Sequence, residues 1–249
     1  AAYEKGDYST AMTEWRPLAE QGDVSAQFGL GYMYDEGKGV PVNAKEAAKW
    51  YRLAAEQGDA DAQNILGNMY MTGRGLPENL TEAIKFHRLA AEQGNADSQA
   101  FMGQVHLQIE EYDKALVFLR KASEQGEEVA QVKLAAMYMI GKGVAKDETE
   151  ALKWYLQAAE KQNVDAQFAL GTLYATGEDV TRDYKESVKW LRLSAEQGHA
   201  TGQYFLGNRY ATGQGVPKNL TEAYAWFSVA VANGDEGAVK NRDRASKML

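Results

Sequence analysis

Three basic residues flanked by glycines are the first candidates for chemistry in this sequence. Gly-Lys-Gly occurs at residues 37–39 and 141–143, and Gly-Arg-Gly at residues 73–75. A glycine-rich backbone with a basic side chain can cradle a phosphate group. The sequence contains no Gly-x-x-x-x-Gly-Lys-Ser/Thr motif, the sign of a nucleotide-binding phosphate loop. We therefore interpret these segments as turns in which glycine supplies a positive φ angle.

Paired acidic residues are the second set of candidates, because two carboxylates can serve acid–base catalysis or bind a metal ion. Most of these pairs lie where a helix is predicted to begin or end, and acids at a helix start interact favourably with the helix dipole. We expect them to be structural or solvated. The pairs are Asp35-Glu36, Asp59/Asp61, Glu110-Glu111 and Glu127-Glu128.

The chain has only three histidines, and they lie far apart in the sequence. We expect His87 at an exposed or variable helix position, His106 in place of a packing tyrosine, and His199 at a helix start. The chain has no cysteine, which excludes disulfides, thiolate metal sites and cysteine nucleophiles. The sequence therefore predicts no catalytic residue, no cofactor and no metal site.

Composition and charge are typical of a packed protein and argue against nucleic acid as its main partner. Of the 249 residues, 45% are hydrophobic and 25% are charged. No apolar stretch approaches the roughly 18 residues needed to span a membrane. The net charge of −8 argues against a phosphate backbone as the main partner. The chain begins at Ala1 without a charged segment and apolar core, so we expect that any leader has been removed or trimmed.

One phrase recurs along almost the whole chain. Ala-Glu-Gln-Gly or a close variant ends at residues 22, 58, 94, 126, 162, 198 and 234, at intervals of 36, 36, 32, 36, 36 and 36 residues. A glutamine follows each of the first six after five residues, and a tyrosine or histidine follows that glutamine after seven. Recurrence at a fixed period predicts a solenoid of stacked repeats.

Each repeat reads as two helices. In residues 59–94, Asp59 is a good N-cap, and apolar residues then follow with helical spacing. Residues 73–77 break the helix. Asn79 and Glu82 form a capping-box-like pair that opens the second helix, and Gly94 ends it. Small residues such as Gly67 allow the helices to approach closely. The pair recurs as Asn43/Glu46, Asp147/Glu150, Asp183/Glu186 and Asn219/Glu222.

These motifs resemble those of the Sel-1-like repeat family, relatives of tetratricopeptide repeats. The most complete copy has Ala26, Gln27, Leu30, Gly31, Tyr34, Gly37, Gly39, Val40, Ala47, Trp50, Tyr51, Ala54 and Ala55. The resemblance implies an all-α, right-handed superhelical α/α solenoid. We expect a single domain over residues 1–249, with a leading second helix at 7–22 and a trailing capping helix at 235–249. The six helix pairs are predicted at 23–58, 59–94, 95–126, 127–162, 163–198 and 199–234.

Two repeats depart from the pattern. The third is four residues shorter, and its helices are joined through residues 108–112 without Gly-x-Gly, so we expect a local change in curvature or groove shape. The fifth has Gly177-Glu178-Asp179 in place of Gly-x-Gly. We expect Asp179 to take the second glycine's place, because Asp tolerates positive φ better than most residues.

The family resemblance implies that the first helix of each pair lines a concave groove. Positions between the packing residues vary from repeat to repeat, and the aromatic residues among them are natural anchors for a partner. The alternative is that these aromatics partly pack against the neighbouring repeat. The predicted groove residues are Phe28, Tyr32, Asp35, Asn64, Asn68, Met71, Gln104, Val132, Met139, Phe168, Thr172, Tyr204 and Asn208.

Charge and family together indicate the kind of partner. The fourteen residues that begin each first helix carry a summed charge of −7, nearly all of the chain's −8. We therefore expect an acidic groove that binds a cationic or apolar peptide or protein surface. The resemblance implies a non-enzymatic interaction scaffold or adaptor. The opening at residues 15–18 resembles the bacterial, exported members, which implies the periplasm or the exterior.

Two other functions stay open from the sequence. Some members of the family are linked to β-lactams, but the motifs Ser-x-x-Lys, Ser-Asp-Asn, Lys-Thr-Gly and Gly-x-Ser-x-Gly are all absent. Because of that family link, a hydrolase acting on β-lactams or the cell wall is one alternative, although these motifs do not support it. A glycan-binding module is the other, and it needs exposed tryptophans. We expect those in the core between repeats: Trp15, Trp50, Trp154, Trp190 and Trp226.

Overall fold

The computed structural model describes residues 2–177 and 180–249. Fourteen α-helices and one short 3-10 helix, Tyr3–Lys5, form the described part of the chain, which contains no strand. The first thirteen α-helices are each 13 residues long. They are α1 Tyr8–Glu20, α2 Val24–Glu36, α3 Ala44–Glu56, α4 Ala60–Thr72, α5 Leu80–Glu92, α6 Ala96–Gln108, α7 Tyr112–Glu124, α8 Glu128–Ile140, α9 Glu148–Glu160, α10 Val164–Thr176, α11 Tyr184–Glu196, α12 Ala200–Thr212 and α13 Leu220–Ala232. The last helix, α14 Ala238–Ser246, has 9 residues.

The helices group into two compact units. Unit 1 is Ala1–Gln125, with α1 to α7, and unit 2 is Gly126–Leu249, with α8 to α14. Within each unit, helices that follow one another in the chain pack side by side. The all-helical fold is confirmed. In the described ranges, no helix combines the length and the apolar character that crossing a membrane demands.

Side-chain caps begin both helices of a repeat. The side chain of Asp59 accepts a hydrogen bond from the backbone N–H of Ala62, and that of Asn79 accepts one from Glu82, as predicted. A complete capping box also needs the Glu82 carboxylate to accept from the backbone N–H of Asn79, and this part of the prediction is wrong. The N–H of Asn79 donates to the carbonyl of Tyr70 on the preceding helix, and the Glu82 carboxylate instead pairs with Lys85 at 3.1 Å.

Glycine is required at two kinds of position. At the end of the turn after α4, Gly75 has φ +76°, and a Cβ there would collide with the carbonyl oxygen of Ala44. Inside α4, a Cβ on Gly67 would lie 2.8 Å from the ring of His87, which confirms the predicted close approach. Turns with two positive-φ glycines follow α2, α4, α8 and α12. In the fifth repeat Gly177 has φ −52°, and Glu178 and Asp179 lie outside the described residues.

The glutamine that recurs in every repeat is buried, and its side-chain amide forms hydrogen bonds between helices. The Gln27 amide donates to the carbonyl of Ala19, on the preceding second helix, at 3.0 Å. Gln57, at the end of the next second helix, donates to the Gln27 side chain at 2.7 Å. Because the Gln27 amide donates on one side and accepts on the other, it joins the preceding and the following second helix through hydrogen bonds. Equivalent bonds are made by Gln63, Gln99, Gln167 and Gln203.

An arginine–tyrosine bond also links successive repeats. Arg52 on α3 donates to the phenol oxygen of Tyr70 on α4 at 2.7 Å, with the two residues 18 apart in sequence. The short third repeat breaks this pattern, because His106 replaces the tyrosine and contacts Glu111 at 2.7 Å. Its turn is made by Glu110 with φ +61°. The same hydrogen bond, between residues 18 apart in sequence, joins Arg16 to Tyr34 and Arg192 to Tyr210.

Candidate functional site

The most accessible row of predicted groove residues lies near the middle of the first helices. Tyr32 on α2 and Asn68 on α4 are exposed, whereas Gln104, Thr172 and Asn208 are half-buried. Asn208 accepts a hydrogen bond from Asn241 of α14 at 3.0 Å, so part of its polar capacity is already used. We call the exposed side of α2, α4 and α6 in unit 1, and of α8, α10 and α12 in unit 2, the first-helix surface.

A second row of predicted residues packs between helices. The ring of Phe28 meets the edge of Tyr51 with centroids 5.6 Å apart. Phe168 stacks on His199 at 4.5 Å and meets Phe205 at 5.7 Å.

Tyr204 belongs to this row too. Its ring packs on Phe227, and its hydroxyl accepts from Asn241. Val132, at the same repeat position on α8, is half-buried as well. Phe28, Phe168 and Tyr204 are therefore half-buried, with part of each ring packed on neighbouring helices, and their use as anchors for a partner stays a prediction.

Asn64 also departs from its prediction. Only 8% of its surface is exposed, and its side-chain oxygen accepts a hydrogen bond from the Ser98 hydroxyl at 2.8 Å. Ser98 in turn contacts Nδ1 of His87 at 3.1 Å. Asn64 is part of an interior polar cluster and is not available to a partner.

His87 was expected at an exposed or variable position; the residue type does vary there between repeats, but the expected exposure is wrong. The side chain is 1% exposed, and burial lowers its pKa to about 4. The Ser98 hydroxyl beside it belongs to a residue with no exposed surface, so it offers no nucleophile to a substrate from solution. The equivalent residues of other repeats are all in the core: Tyr51, Leu119, Tyr155, Leu191 and Phe227.

The third row lies at the C-terminal ends of the first helices. Met71 is 41% exposed and Met139 is half-buried. Asp35 differs from both, because its side chain is only 11% exposed and lies 2.9 Å from Nη2 of Arg74. Burial raises the pKa of Asp35, while the guanidinium of Arg74 opposes that rise and Glu36 adds to it.

A cleft in unit 1 brings three of the predicted residues together. Tyr32, Asp35 and Asn68 face a volume of about 520 Å³ at the ends of α2 and α4. Burial raises the pKa of the Tyr51 phenol in its wall. The remaining lining residues are Glu36, Ile65, Met69, Thr72 and Arg74.

The first-helix surface is less acidic than the summed charge suggests. Asp23, Asp59 and Glu127 each accept a hydrogen bond from a backbone N–H at the start of their own helix. Their charge stabilises the helix start and is partly used there. The exposed acids on the first helices of unit 1 are Glu36, Asp61 and Asp97, whereas Asp35 is mostly buried beside Arg74.

The tryptophans and the acidic groups give little support to the other functions. Trp50 and Trp190 are buried, and Trp15, Trp154 and Trp226 are half-buried, so none of the five belongs to the exposed class that a row of sugar-stacking tryptophans requires. Across residues 2–177 and 180–249, no three potential metal ligands among His, Asp and Glu lie together.

Comparison with known proteins identifies the repeat. The family model described as Sel1 repeat matches residues 24–59, 60–95, 96–127, 129–163, 164–199 and 200–235. No protein with a curated description matches the chain. Each matched segment begins within one residue of the start of a first helix and ends three residues after the end of the second helix.

Two crystal structures are similar over nearly the whole chain. One is c5321, a protective antigen of uropathogenic Escherichia coli strains that displays an SLR fold, with 35% identity and a TM-score of 0.87. The similarity covers 97% of this chain and 53% of c5321, so this chain spans about half of that protein's length. The other is a Sel1 repeat protein from Oxalobacter formigenes, with 35% identity, a TM-score of 0.80, and coverage of 92% of this chain and 93% of that one.

Proposed function

We propose that this chain, which belongs to the Sel1 repeat family, is a non-enzymatic scaffold that binds a peptide or protein through its first-helix surface. Sel1 repeat proteins are typically protein-interaction scaffolds, and the family is generally non-enzymatic. The partner we expect presents cationic or apolar side chains. A rigid helical surface that is already formed lowers the entropic cost of docking.

One contrast carries the proposal. At the buried position two residues before the accessible row, five repeats have leucine and the third has methionine, all at most 3% exposed: Leu30, Leu66, Met102, Leu134, Leu170 and Leu206. The accessible position two residues further on is different in almost every repeat: Tyr32, Asn68, Gln104, Ala136, Thr172 and Asn208. Packing determines the first set, whereas the second is free to suit a partner.

Capture of partners from cells that produce the protein tests the proposal. The bait carries Tyr32→Ala with Asn68→Ala, both exposed on the first-helix surface. The control bait carries Lys49→Ala with Lys85→Ala, exposed on the second helices. We expect mass spectrometry to find proteins that the wild type and the control retain and the first variant loses. Equal recovery by all three baits would contradict the proposed surface.

A hydrolase is the rival function that a simple assay can address. The contact between Ser98 and His87 pairs the residue types that a hydrolase uses as nucleophile and base, but both residues are buried. We expect purified protein to leave the β-lactam nitrocefin unhydrolysed at high enzyme concentration. Turnover that survives further purification would support the hydrolase instead.

A further inference from the structure

We propose that the cleft at the ends of α2 and α4 is an arginine-binding subsite, and that Arg74 of this chain occupies it until an arginine of a partner takes its place. The inference rests on the proposed function, because it names the group that the partner inserts into the first-helix surface. It concerns unit 1 alone.

The acid in this cleft is not needed for the fold. Asp35 occupies a position that in the other repeats holds Met71, Leu107, Met139, Ala175 and Ala211. The helix pair therefore forms equally well with an uncharged residue there. A carboxylate that is nearly nine-tenths buried is unfavourable unless a cation compensates it, and burial does raise the pKa of Asp35.

Arg74 compensates the charge of Asp35 incompletely. Its Nη2 lies 2.9 Å from Oδ1 of Asp35 and donates to the Asp35 backbone carbonyl at 3.4 Å. Oδ1 itself is buried and receives no aligned hydrogen bond from the described residues. The Arg74 side chain is half exposed on the turn between Gly73 and Gly75, so water competes for its guanidinium while Asp35 stays mostly buried. It can therefore be displaced by a better-aligned guanidinium.

The walls of the cleft suit an arginine side chain. Tyr32, Ile65 and Met69 offer aromatic and apolar surface for its methylene stem. Glu36 and the C-terminal end of α2 add negative potential at the position where the charged head would lie. Arginine is favoured over lysine because its planar fork can bond a carboxylate with two parallel N–H groups, whereas the lysine ammonium is a point charge.

Titration with two small probes tests the inference directly. N-acetylarginine methylamide is added to ¹⁵N-labelled protein, and amide shifts around residues 32–36 and 68–74 are followed. The citrulline analogue, which has the same shape without the charge, is the control ligand. We expect arginine to bind at least tenfold more tightly than citrulline. Equal binding of the two probes, or shifts elsewhere only, would overturn the inference.

Three variants separate the roles of the two charged residues. Asp35→Asn is expected to weaken binding of the arginine probe at least tenfold. Arg74→Met removes the internal competitor and is expected to strengthen binding about two- to fivefold. Asp97→Asn, an exposed acid on α6, removes the same charge elsewhere and is expected to change affinity less than twofold. Circular dichroism checks that each variant is folded.

The two outcomes that reject the subsite leave the scaffold proposal intact. If Arg74→Met fails to strengthen probe binding, the arginine is a fixed structural link and not a replaceable occupant. If Asp35→Asn binds the probe as the wild type does, the cleft does not recognise a guanidinium. Because Tyr32 and Asn68 also line the cleft, the capture assay adds an Asp35→Asn bait. Partners that are lost by the Tyr32→Ala, Asn68→Ala bait and retained by the Asp35→Asn bait would support the scaffold and reject the subsite.

Discussion

His87 illustrates how one residue changes the behaviour of a repeated position. Other repeats place an aromatic or leucine side chain there, whereas His87 brings an ionisable ring into the core. Its Nδ1 contacts Ser98, and its Nε2 is buried without a hydrogen-bond partner among the described residues. A charged ring in this position would lack the solvation and the counter-charge it needs, which is why burial lowers the pKa of His87 to about 4.

Replacing His87 by leucine, the residue at the same position in two other repeats, is expected to remove part of the pH dependence of stability. The unfolded chain has a histidine pKa of about 6.5, so between pH 4 and 6.5 it binds more protons than the folded chain. The free energy of unfolding of the wild type should therefore rise with pH across that window.

The difference between wild type and His87→Leu should change by about 3 kcal/mol over this range. Urea unfolding at half-unit pH steps measures it, and the variant's own curve gives the background from carboxylates. Parallel curves for the two proteins between pH 4 and 6.5 would show that His87 is not the group that titrates.

Gly75 is a second position where a single atom matters. Gly75→Ala is expected to lower the free energy of unfolding by about 2–4 kcal/mol, because the alanine needs a positive φ and its Cβ collides with the Ala44 carbonyl. Gly58→Ala is the matched control. It also has positive φ but open space around the new methyl group, so it should cost only about 1 kcal/mol. Similar denaturation midpoints for the two variants would contradict the collision.

At the level of helices, the units are built by bonds that reach from one repeat to the next. Small residues such as Gly67 let a first helix pack closely against the second helix of its repeat. The buried glutamines donate hydrogen bonds to carbonyls of the preceding second helix. The arginine–tyrosine bond adds a link near the surface. The third repeat has lost that link, because His106 takes the tyrosine position and turns to Glu111.

The arginine–tyrosine link can be weighed within one chain. Arg52→Met is expected to lower the free energy of unfolding by about 1 kcal/mol, because it removes a hydrogen bond and a guanidinium over the Tyr70 ring. Arg88→Met is the control, since Arg88 holds the same position one repeat later, where the tyrosine is absent. It should change stability by less than about 0.5 kcal/mol. If both variants unfold at the same denaturant concentration, the link contributes nothing.

At the level of the molecule, the two units present different chemistry to a partner. In unit 1 the first-helix surface is polar and ionic around Tyr32, Asp35 and Asn68. In unit 2 the exposed side of α8 is largely apolar, with Val129 41% and Ile140 63% exposed. The whole chain carries a net charge of −8. A chain of this charge attracts cationic partners at long range.

Salt is therefore expected to slow partner binding. For a partner found by capture, the association rate constant should fall about tenfold between roughly 0.05 and 0.5 M NaCl, while the dissociation rate constant changes less. Surface plasmon resonance with the immobilised partner measures both. An association rate that does not depend on salt would contradict the expected cationic partner.

The sequence by itself determined the helices, their caps, their turns and the repeat, because these depend on residues within a few positions of one another. Asp59, Asn79 and Gly94 could be assigned from local patterns alone. Family membership followed from the same local motifs, repeated six times.

Only the tertiary structure decided which of the predicted groove residues face solvent. Phe28 and Asn64 have helical positions that look free in the sequence, but neighbouring helices bury Asn64 and cover part of Phe28. The pairing of Asp35 with Arg74 joins residues 39 apart, on two different repeats. Exposure and charge pairing depend on what lies across the interface between helices, and no short stretch of sequence contains that information.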